Sequence, residues 1–381
     1  MSKVAVIETT PQNIIEDYSK LLDLIDYQSI VKKELKTIIK INLSWTKFYP
    51  ACSTPPWQLD GVLNKLIDDG ANSNDIIPTE NQTVVTNPWN GFFQNKLLQV
   101  LRKFNTPFRP LTNEKWIQYD PKIDVPWMRE LFKDNIIIPE IFMNSNIIHL
   151  PTLKVHGHTV TTGAIKNAFG GLIPKYRHHS HRIIDGILVD LLKIQKEIHP
   201  GLLAVMDGTV AGNGAGPRVM EPVYTNLLLA SEDQVAIDAL SAKIMGFDPL
   251  SIGYIRMAHD QGLGFGDVDQ IEIIGMDSQE VRDINLNFRV KRSLVVKWDQ
   301  RLRNTTYRYR PLKPFHWLFF HTPIFRLLIA GSSIYHDWLW YRFIGKRKIK
   351  KFQETEWGQL YDSYEFGEKE EYPKIKDWNP Y

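Results

Sequence analysis

The sequence predicts an α/β fold in which mainly parallel sheet strands are flanked by helices, arranged as two lobes and followed by a basic, aromatic-rich C-terminal extension. Apolar runs of strand length alternate along the chain with segments of helical periodicity. The 381 residues suffice for two ordinary domains, and the hydrophobic and charged fractions, 43% and 23%, are those of globular proteins. Basic residues are concentrated after residue 288, which sets the C-terminal part apart from the rest.

Residues 1–140 are expected to form an N-terminal α/β lobe. Its predicted elements are a strand at residues 4–7, a helix at 13–33, a strand at 37–41, a helix at 55–69, a strand at 75–79 and a helix at 90–104. Residues 106–140 contain many Pro and Trp residues without a sustained period, so we expect a long connection or insertion there.

Residues 141–285 are expected to form a central α/β lobe. Its predicted elements are a strand at 147–150, a helix at 183–198, a strand at 202–206, a glycine-rich loop at 207–217, a strand at 225–230, helices at 232–245 and 250–261, and a strand at 270–274. The helix at 183–198 has the clearest apolar stripe. Residues 231–234 have capping-box spacing before the next helix, and Gly246 provides its natural end.

Cys52 is the single cysteine of the chain. A single cysteine excludes a disulfide within the chain, and it also excludes a zinc or iron–sulfur site whose ligands are all cysteines of one chain. One cysteine also fits a reducing compartment. The N-terminal residues show no long apolar core behind a basic start, so no secretory signal is expected. We therefore expect a cytoplasmic protein.

The segment at residues 150–181 collects most of the candidate site chemistry. Hydrogen-bond donors and cations follow a predicted buried strand within fourteen residues; they are Lys154, Thr159, Thr161, Thr162, Lys166 and Asn167. A helix beginning near Gly163 would add free backbone N–H groups to the same positive pole. The pattern predicts binding of a phosphate or carboxylate group. A solvated loop whose threonines cap a helix is the alternative, and the clustering favours the site.

Histidines are concentrated in the same segment. His156 and His158 are separated by one residue and would share a face of extended backbone. Together with His178, His179 and His181 they could bind a divalent metal such as zinc or nickel, or transfer protons near neutral pH. Neighbouring Lys and Arg residues lower histidine pKa values and oppose a metal, so acid/base chemistry ranks first. A surface histidine patch is the simpler alternative.

Three aspartates are also candidates. Asp207 follows a predicted strand, where α/β proteins collect catalytic groups, and Gly214 and Gly216 would let a ligand approach the backbone. An Asp that stabilises a turn before Gly is equally expected at this position. Asp233 is interpreted as a favourable charge at a helix N-terminus. Asp238, inside an apolar helix, would need a partner if buried, so it is the better functional candidate.

The C-terminal extension, residues 286–381, is basic and aromatic. Residues 289–351 contain 16 Lys and Arg against two acids, and residues 315–343 contain ten Phe, Trp or Tyr. Packing on the core or on a partner subunit ranks first among three interpretations. Attachment to an anionic membrane surface is a close second. Nucleic acid ranks third, because the rest of the chain is acidic. No spanning helix is expected, because long uncharged apolar runs are absent from the sequence.

These pieces together resemble the family catalogued as domain of unknown function 362, over about residues 36–275. The matching pieces, in order, are Ile39-Lys40-Ile41-Asn42-Leu43, Leu150-Pro-Thr-Leu-Lys154 with His156, Thr162-Gly-Ala-Ile-Lys166-Asn167 with Gly170, Asp207-Gly208 with Gly216-Pro217, Ala230-Ser231 with Asp233 and Ala236-Ile-Asp238, and Gly262-Leu-Gly264. The resemblance implies an architecture more firmly than an activity. Many relatives carry a fused ferredoxin-type module, and this chain departs from them because one cysteine cannot hold such a cluster.

A shorter similarity is to nickel-pincer enzymes of the lactate-racemase type. In those enzymes a His precedes a Lys by about ten residues in a Gly/Ser-rich turn, as His156 precedes Lys166 here. The resemblance implies a Lys that holds the cofactor covalently, a His that binds metal, and other histidines acting as acid and base. Hydride transfer of this type is the weakest of the functions considered.

The leading prediction is an enzyme that acts on a small anionic metabolite by acid/base chemistry, with a divalent metal as a further option. The alternative is a non-catalytic protein that binds a ligand or a membrane surface. The candidate residues are His156, Lys166, His179 and Asp207 for catalysis, Lys154, Thr159, Thr162, Asn167, Gly214 and Gly216 for ligand binding, and His158, His181 and Asp238 for a metal.

Overall fold

A mixed β-sheet organises the molecule in the computed structural model, which describes residues 1–83, 86–133, 135–174, 177–292, 294–320 and 330–366. The strands are Ser2–Glu8 (β1), Thr37–Ile41 (β2), Ile76–Thr79 (β3), Trp116–Gln118 (β4), Ile137–Pro139 (β5), Asn146–Leu150 (β6), Thr152–His156 (β7), Val160–Thr161 (β8), Leu202–Ala215 (β9), Val219–Ser231 (β10) and Ile271–Gly275 (β11). Within the described residues, all except β4 and β5 belong to one sheet, in the order β11-β1-β10-β9-β6-β2-β3, with β7 paired to β9 and β8 paired to β7. The short strands β4 and β5 pair separately.

Parallel pairing dominates one half of the sheet. β3, β2, β6 and the start of β9 are parallel neighbours, and β7 follows β6 along β9 after a break at Pro151. The pairs β9–β10 and β10–β1 are antiparallel, whereas β1 and β11 are again parallel. The predicted mainly parallel α/β sheet is therefore confirmed. The carboxyl ends of β2 and β6 lie at the same edge of the sheet, which we call the carboxyl edge.

Helices cover both faces of the sheet. They are Ile14–Leu24 (α1), Tyr27–Ile30 (α2), Pro56–Asp68 (α3), Pro88–Gln94 (α4), Leu97–Lys103 (α5), Pro126–Phe132 (α6), Gly163–Asn167 (α7), Phe169–Leu172 (α8), Ile184–Ile198 (α9), Gln234–Met245 (α10), Gly253–Asp260 (α11), Ser278–Asp283 (α12), Leu294–Arg308 (α13) and Lys313–Phe320 (α14). A π-helix, Ile334–Gly345, and the helices Lys346–Gln353 and Glu356–Ser363 follow.

The strand residues alternate between two apolar layers, as the side-chain period of two requires. In β2, Ile38 packs with α9 and α10 on one face, whereas Ile39 and Ile41 pack with α1 and α3 on the other. Strands from residues 1–140 and from residues 141–285 share both layers. The boundary expected near residue 140 therefore does not divide the sheet.

Two predicted helices are each broken into two. The helix expected at 13–33 ends at Leu24, and Asp26 takes a left-handed conformation with φ 49° before α2. The helix expected at 90–104 is interrupted by Lys96, with φ 60°. An isolated left-handed residue ends a right-handed helix, and apolar periodicity gives no signal of it because both halves keep their buried faces. Residues 106–140, expected as a connection, contain β4, α6 and β5.

The predicted loop at 207–217 is wrong, because β9 continues through it and pairs with β10 as a long hairpin. The glycines suggested a loop, but in the structure they leave room for atoms of the neighbouring strands. A Cβ atom at Gly212 would lie 2.5 Å from the sulfur of Met220 in β10 and 3.0 Å from Lys154 Cβ in β7, and one at Gly216 would lie 1.8 Å from the carbonyl oxygen of Val155 in β7. The glycines are therefore required where β7 approaches the hairpin closely.

Aromatic residues of the C-terminal extension pack against the core. Tyr361 stacks on Phe48 with ring centroids 3.8 Å apart, and Tyr341 meets Trp45 edge-on at 5.2 Å. Packing, the first of the three interpretations, therefore holds for these residues. Other side chains of the extension remain exposed, among them Trp298 and Trp338 at 69% and 66%. No helix within the described ranges is both long and apolar enough to cross a membrane.

Candidate functional site

A buried ion pair lies beneath the carboxyl edge. Lys40 of β2 and Glu80, just after β3, are both buried, and Lys40 Nζ lies 2.8 Å from Glu80 Oε1. The other carboxylate oxygen accepts the Leu43 N–H at 3.0 Å. This pair therefore fixes the loop that follows β2, because removing either partner would leave a buried charge unpaired.

A chain of neutral polar groups continues from this pair. Asn167 of α7 donates to the Lys40 carbonyl at 2.9 Å and to His149 Nδ1 at 3.3 Å, and it accepts a hydrogen bond from Asn42. His149 Nε2 lies against Gln195 Oε1. Burial lowers the pKa of His149 to about 3, so the ring is neutral with its proton on Nε2. Asn167, predicted to bind a ligand, joins α7 to the sheet.

Lys154 is buried in β7 and bonded to neutral oxygens. Its ammonium group donates to Asn42 Oδ1, to the Cys52 carbonyl at 2.7 Å and to Thr152 Oγ1 at 2.7 Å. Burial lowers the pKa of Lys154 to about 8. Because three acceptors use its three protons, Lys154 has no free donor for a ligand and contributes a positive charge to this part of the protein.

The β7–β8 turn brings three predicted histidines together. The ring centroids of His156 and His158 are 5.8 Å apart, and those of His158 and His181 are 4.7 Å apart. His156 Nδ1 accepts the backbone N–H of His158 at 3.1 Å. Burial, followed by the positive charge of Lys166, lowers the pKa of His156 well below its ordinary value. His156 is therefore neutral, with its proton on Nε2, whereas His158 and His181 are half-buried.

Asp238 of α10 holds the N-terminus of α7, on which Lys166 lies. Its carboxylate accepts the backbone N–H groups of Ala164 and Ile165, and the Tyr254 hydroxyl at 3.3 Å. Burial raises the pKa of Asp238 to about 7. The partner that a buried Asp238 was expected to need is therefore the start of α7. Both carboxylate oxygens are used in this way, so Asp238 positions Lys166.

Metal binding stays a prediction. No group of three or more His, Cys, Asp or Glu side chains that could hold a metal is present in the described part of the chain. His179 lies in a 3-10 helix, Arg177–Ile183, but its side chain is outside the described residues.

Asp207 is buried in β9 and bonded to four donors within the described residues. Tyr18 and Trp57 donate to one carboxylate oxygen at 2.7 and 2.9 Å, and the N–H and hydroxyl of Thr209 donate to the other at 3.1 and 2.8 Å. Burial raises the pKa of Asp207, and this effect is larger than the opposite effect of the hydrogen-bond donors, which lower the pKa. Since the donors fill its lone pairs, Asp207 joins α1 and α3 to the sheet, and its predicted catalytic role is untested.

The remaining predicted ligand-binding residues are close to the turn. The Thr159 hydroxyl donates to the Thr161 carbonyl at 2.8 Å, whereas the buried Thr162 hydroxyl has no hydrogen-bond partner among the described residues. Gly216 accepts the Gly157 N–H at 3.3 Å, so the β9–β10 turn touches the β7–β8 turn. Gly214 has φ 97° and precedes this contact.

The C-terminal extension reaches the histidines, which the sequence pattern did not predict. Arg292 Nε donates to the Gly157 carbonyl at 3.3 Å, and Gln300 of α13 donates to His158 Nδ1 at 3.1 Å. Lys40, also missed as a site residue, had one sequence signal, since a lysine inside an otherwise apolar buried strand needs a partner.

Comparison with known proteins identifies the family of this chain. A family model described as Domain of unknown function (DUF362) matches residues 37–243, more than half of the chain. The chain belongs to the DUF362 family. The region matched by DUF362 runs from β2 to α10 and so includes the carboxyl-edge network and the histidine turn.

One curated relative is a thylakoid-associated protein, sll1697, from Synechocystis sp. It is 33% identical over 122 residues, which are 31% of this chain and 37% of the relative. The chain thus spans well under half of the relative's length. No solved structure matches the chain.

Proposed function

We propose that this DUF362 protein binds a small anionic metabolite beyond the carboxyl edge and acts on it by acid/base chemistry. The proposal rests on one observation: the side chains of His156, His158 and His181 lie close together, near the charge of Lys166. Apart from burial, the groups that shift the pKa of His156 are cations or histidines, and Lys154 is among them. Such surroundings favour an anionic ligand.

The side chains suit distinct tasks. Lys166 supplies an ammonium group for the anion, on a helix fixed by Asp238. His156, kept neutral by burial, offers its Nε2 proton as a hydrogen-bond donor. His158 and His181 retain partial exposure and are the pair proposed to move a proton, a task for which imidazole is suited near neutral pH.

Lys166→Ala tests this function. We expect it to weaken the thermal stabilisation produced by inorganic phosphate and by small mono- and dicarboxylates at least tenfold in effective concentration, because a charge-assisted bond of about 1.5–3 kcal/mol is lost. Differential scanning fluorimetry with a ligand series measures the effect. Lys196→Ala, which removes an exposed lysine of α9, is the matched control. An unchanged ligand response in Lys166→Ala would contradict the proposal.

Attachment to an anionic membrane surface is a second candidate, favoured by exposed side chains of the extension. Trp338, Leu339 and Phe343 of the π-helix are 66%, 53% and 60% exposed. The next helix, Lys346–Gln353, contributes five Lys or Arg residues. Aromatic and basic groups side by side fit the interface of an anionic bilayer. The printed name of the Synechocystis relative, thylakoid-associated, is consistent with this second function.

A further inference from the structure

The turn between β9 and β10 carries Arg218, which forms no ion pair with the residues that the structure describes. The Nη1 atom of Arg218 is buried and forms no hydrogen bond with any residue that the structure describes. The residue as a whole is partly exposed. Burial lowers the pKa of Arg218, yet a guanidinium stays charged in proteins. A buried charge without a partner is costly, which indicates that something else supplies the partner.

Arg218 lies where the core meets the C-terminal extension. Its guanidinium carbon is 6.0 Å from the ring centroid of Trp45, and the Trp45 indole donates to Asp337 at 2.6 Å. His336 is buried nearby, with Nδ1 2.9 Å from the Ser332 carbonyl oxygen. Burial and the charge of Arg218 lower the pKa of His336 to about 4. An aromatic floor, a buried imidazole and a guanidinium therefore converge at this junction.

The surrounding charge is mainly positive. Lys154 and Arg218 both lower the pKa of Cys52, although burial raises it more, so the two cations lie near the same residue. Asp337 is the opposing charge, because it raises the pKa of Arg218. No ion pair joins Asp337 to Arg218 in the described part of the chain, and Asp337 Oδ1 already accepts from Trp45.

We propose that Arg218, with Trp45 beneath it and His336 beside it, binds the phosphate group of a ligand at the junction of the core and the C-terminal extension. The planar guanidinium fork matches two oxygens of a phosphate. Gly216, two residues before Arg218, accepts the Gly157 N–H, so the turn that carries Arg218 contacts the β7–β8 turn. The subsite does not depend on the proton transfer proposed for the histidines.

Urea unfolding of the full chain in chloride and in phosphate buffers of equal ionic strength tests the subsite. Phosphate is expected to raise the unfolding midpoint of Arg218→Met less than that of the wild type, and the increase that remains in the variant is the part that depends on Lys166. In chloride, Arg218→Met is expected to be at least as stable as the wild type, because the variant no longer buries an unpaired charge. Calorimetric titration should show that Arg218→Met binds inorganic phosphate about 20-fold or more weakly than the wild type does. Arg218→Lys should retain part of the affinity for phosphate, because the positive charge remains. Arg256→Met, at an exposed position of α11, is the control.

Asp337→Asn separates this subsite from a structural ion pair. If Arg218 binds phosphate, removing the competing carboxylate should strengthen phosphate binding. If instead Arg218→Met and Asp337→Asn both destabilise the protein in chloride and the phosphate response of Arg218→Met equals that of the wild type, the proposal is overturned.

Vesicles distinguish the two sources of the phosphate group. Sedimentation with phosphatidylcholine vesicles containing phosphatidic acid, reduced in Arg218→Met and by added inorganic phosphate, would assign the subsite to a lipid headgroup. Sedimentation that Arg218→Met leaves unchanged, together with lost calorimetric binding, would assign it to a soluble phosphate compound. Either result supports the subsite.

Discussion

Buried histidines that stay neutral mark the core of this protein. Burial lowers the pKa of His149 to about 3 and that of His199 to about 4. His149 lies against Gln195, and His199 Nδ1 lies 2.8 Å from the Ser145 carbonyl oxygen. Both rings therefore serve as neutral hydrogen-bonding groups. In the unfolded chain their ordinary pKa is about 6.5.

Acid should therefore destabilise the fold. Between pH 6.5 and about 4 the unfolded chain binds more protons than the folded chain at both positions, so stability falls as the pH is lowered. Each group contributes a slope of up to about 1.4 kcal/mol per pH unit. Urea unfolding across this pH range should show the slope reduced in His149→Gln and reduced again in His149→Gln/His199→Gln. The same slope in all three proteins would refute this assignment.

At the residue scale, the sequence identified which groups gather but not how each is used. The spacing of His156 and His158 and the nearby His181 correctly indicated a cluster. Two of the three acceptors around Lys154 could not be predicted, because Asn42 and Cys52 are more than 100 residues away along the chain. Partners brought by tertiary packing decide whether a polar side chain is free for a ligand.

At the scale of elements, the short helix α7 depends on a glycine and a carboxylate. Gly163 has φ 59°, and a Cβ atom there would lie 2.3 Å from the oxygens of Asp238. The carboxylate bonds to the first N–H groups of α7 and so occupies the space that a side chain would need. The position of Lys166 thus follows from the absence of a side chain three residues earlier.

Gly163→Ala should displace this carboxylate as well as strain the backbone. We expect it to lower the free energy of unfolding by about 3 kcal/mol, from backbone strain plus a disrupted buried hydrogen-bond network. Gly262→Ala is the matched control, because Gly262 has φ 68° but open space around it, and should cost only about 1 kcal/mol. Equal losses in chemical denaturation would contradict a specific role for the Asp238 contact.

Element prediction failed where packing overrode composition. The glycine-rich residues 207–217 have the composition of a loop, yet cross-strand pairing with β10 holds them in a strand. β2 was predicted with its observed bounds, because Ile38, Ile39 and Ile41 make a short apolar run. A glycine indicates a turn in the sequence, but only the structure shows that a neighbouring strand requires it.

At the scale of the whole molecule, the C-terminal extension has two faces. One face packs on the core, where Tyr361 stacks on Phe48, and the other leaves Trp338 and Leu339 exposed. The basic charge of residues 289–351 predicted an interaction surface, but composition alone did not separate the packed aromatics from the exposed ones. That separation depends on which aromatic side chains of the extension contact residues 45–49 of the core.

Trp338→Ser/Leu339→Ser should weaken attachment to anionic vesicles several-fold, because two apolar side chains no longer enter the interface. Sedimentation with phosphatidylglycerol vesicles measures binding, which should also fall as salt screens the basic residues. Tyr224→Ser, at an exposed aromatic position of β10, is the control. A wild type that stays in the supernatant with these vesicles at low salt would rule out the membrane function.

The pairing of β1 has a consequence for how the protein folds while it is being translated. β1 pairs with residues 227–230 and 271–275, so β1 finds its neighbours only after β10 and β11 have been translated. At roughly 5–20 residues per second, a nascent β1 waits on the order of ten to fifty seconds with its backbone unpaired. Such long-range pairing makes folding slow. β1 therefore joins the sheet late, and until then its unpaired backbone is open to incorrect pairing.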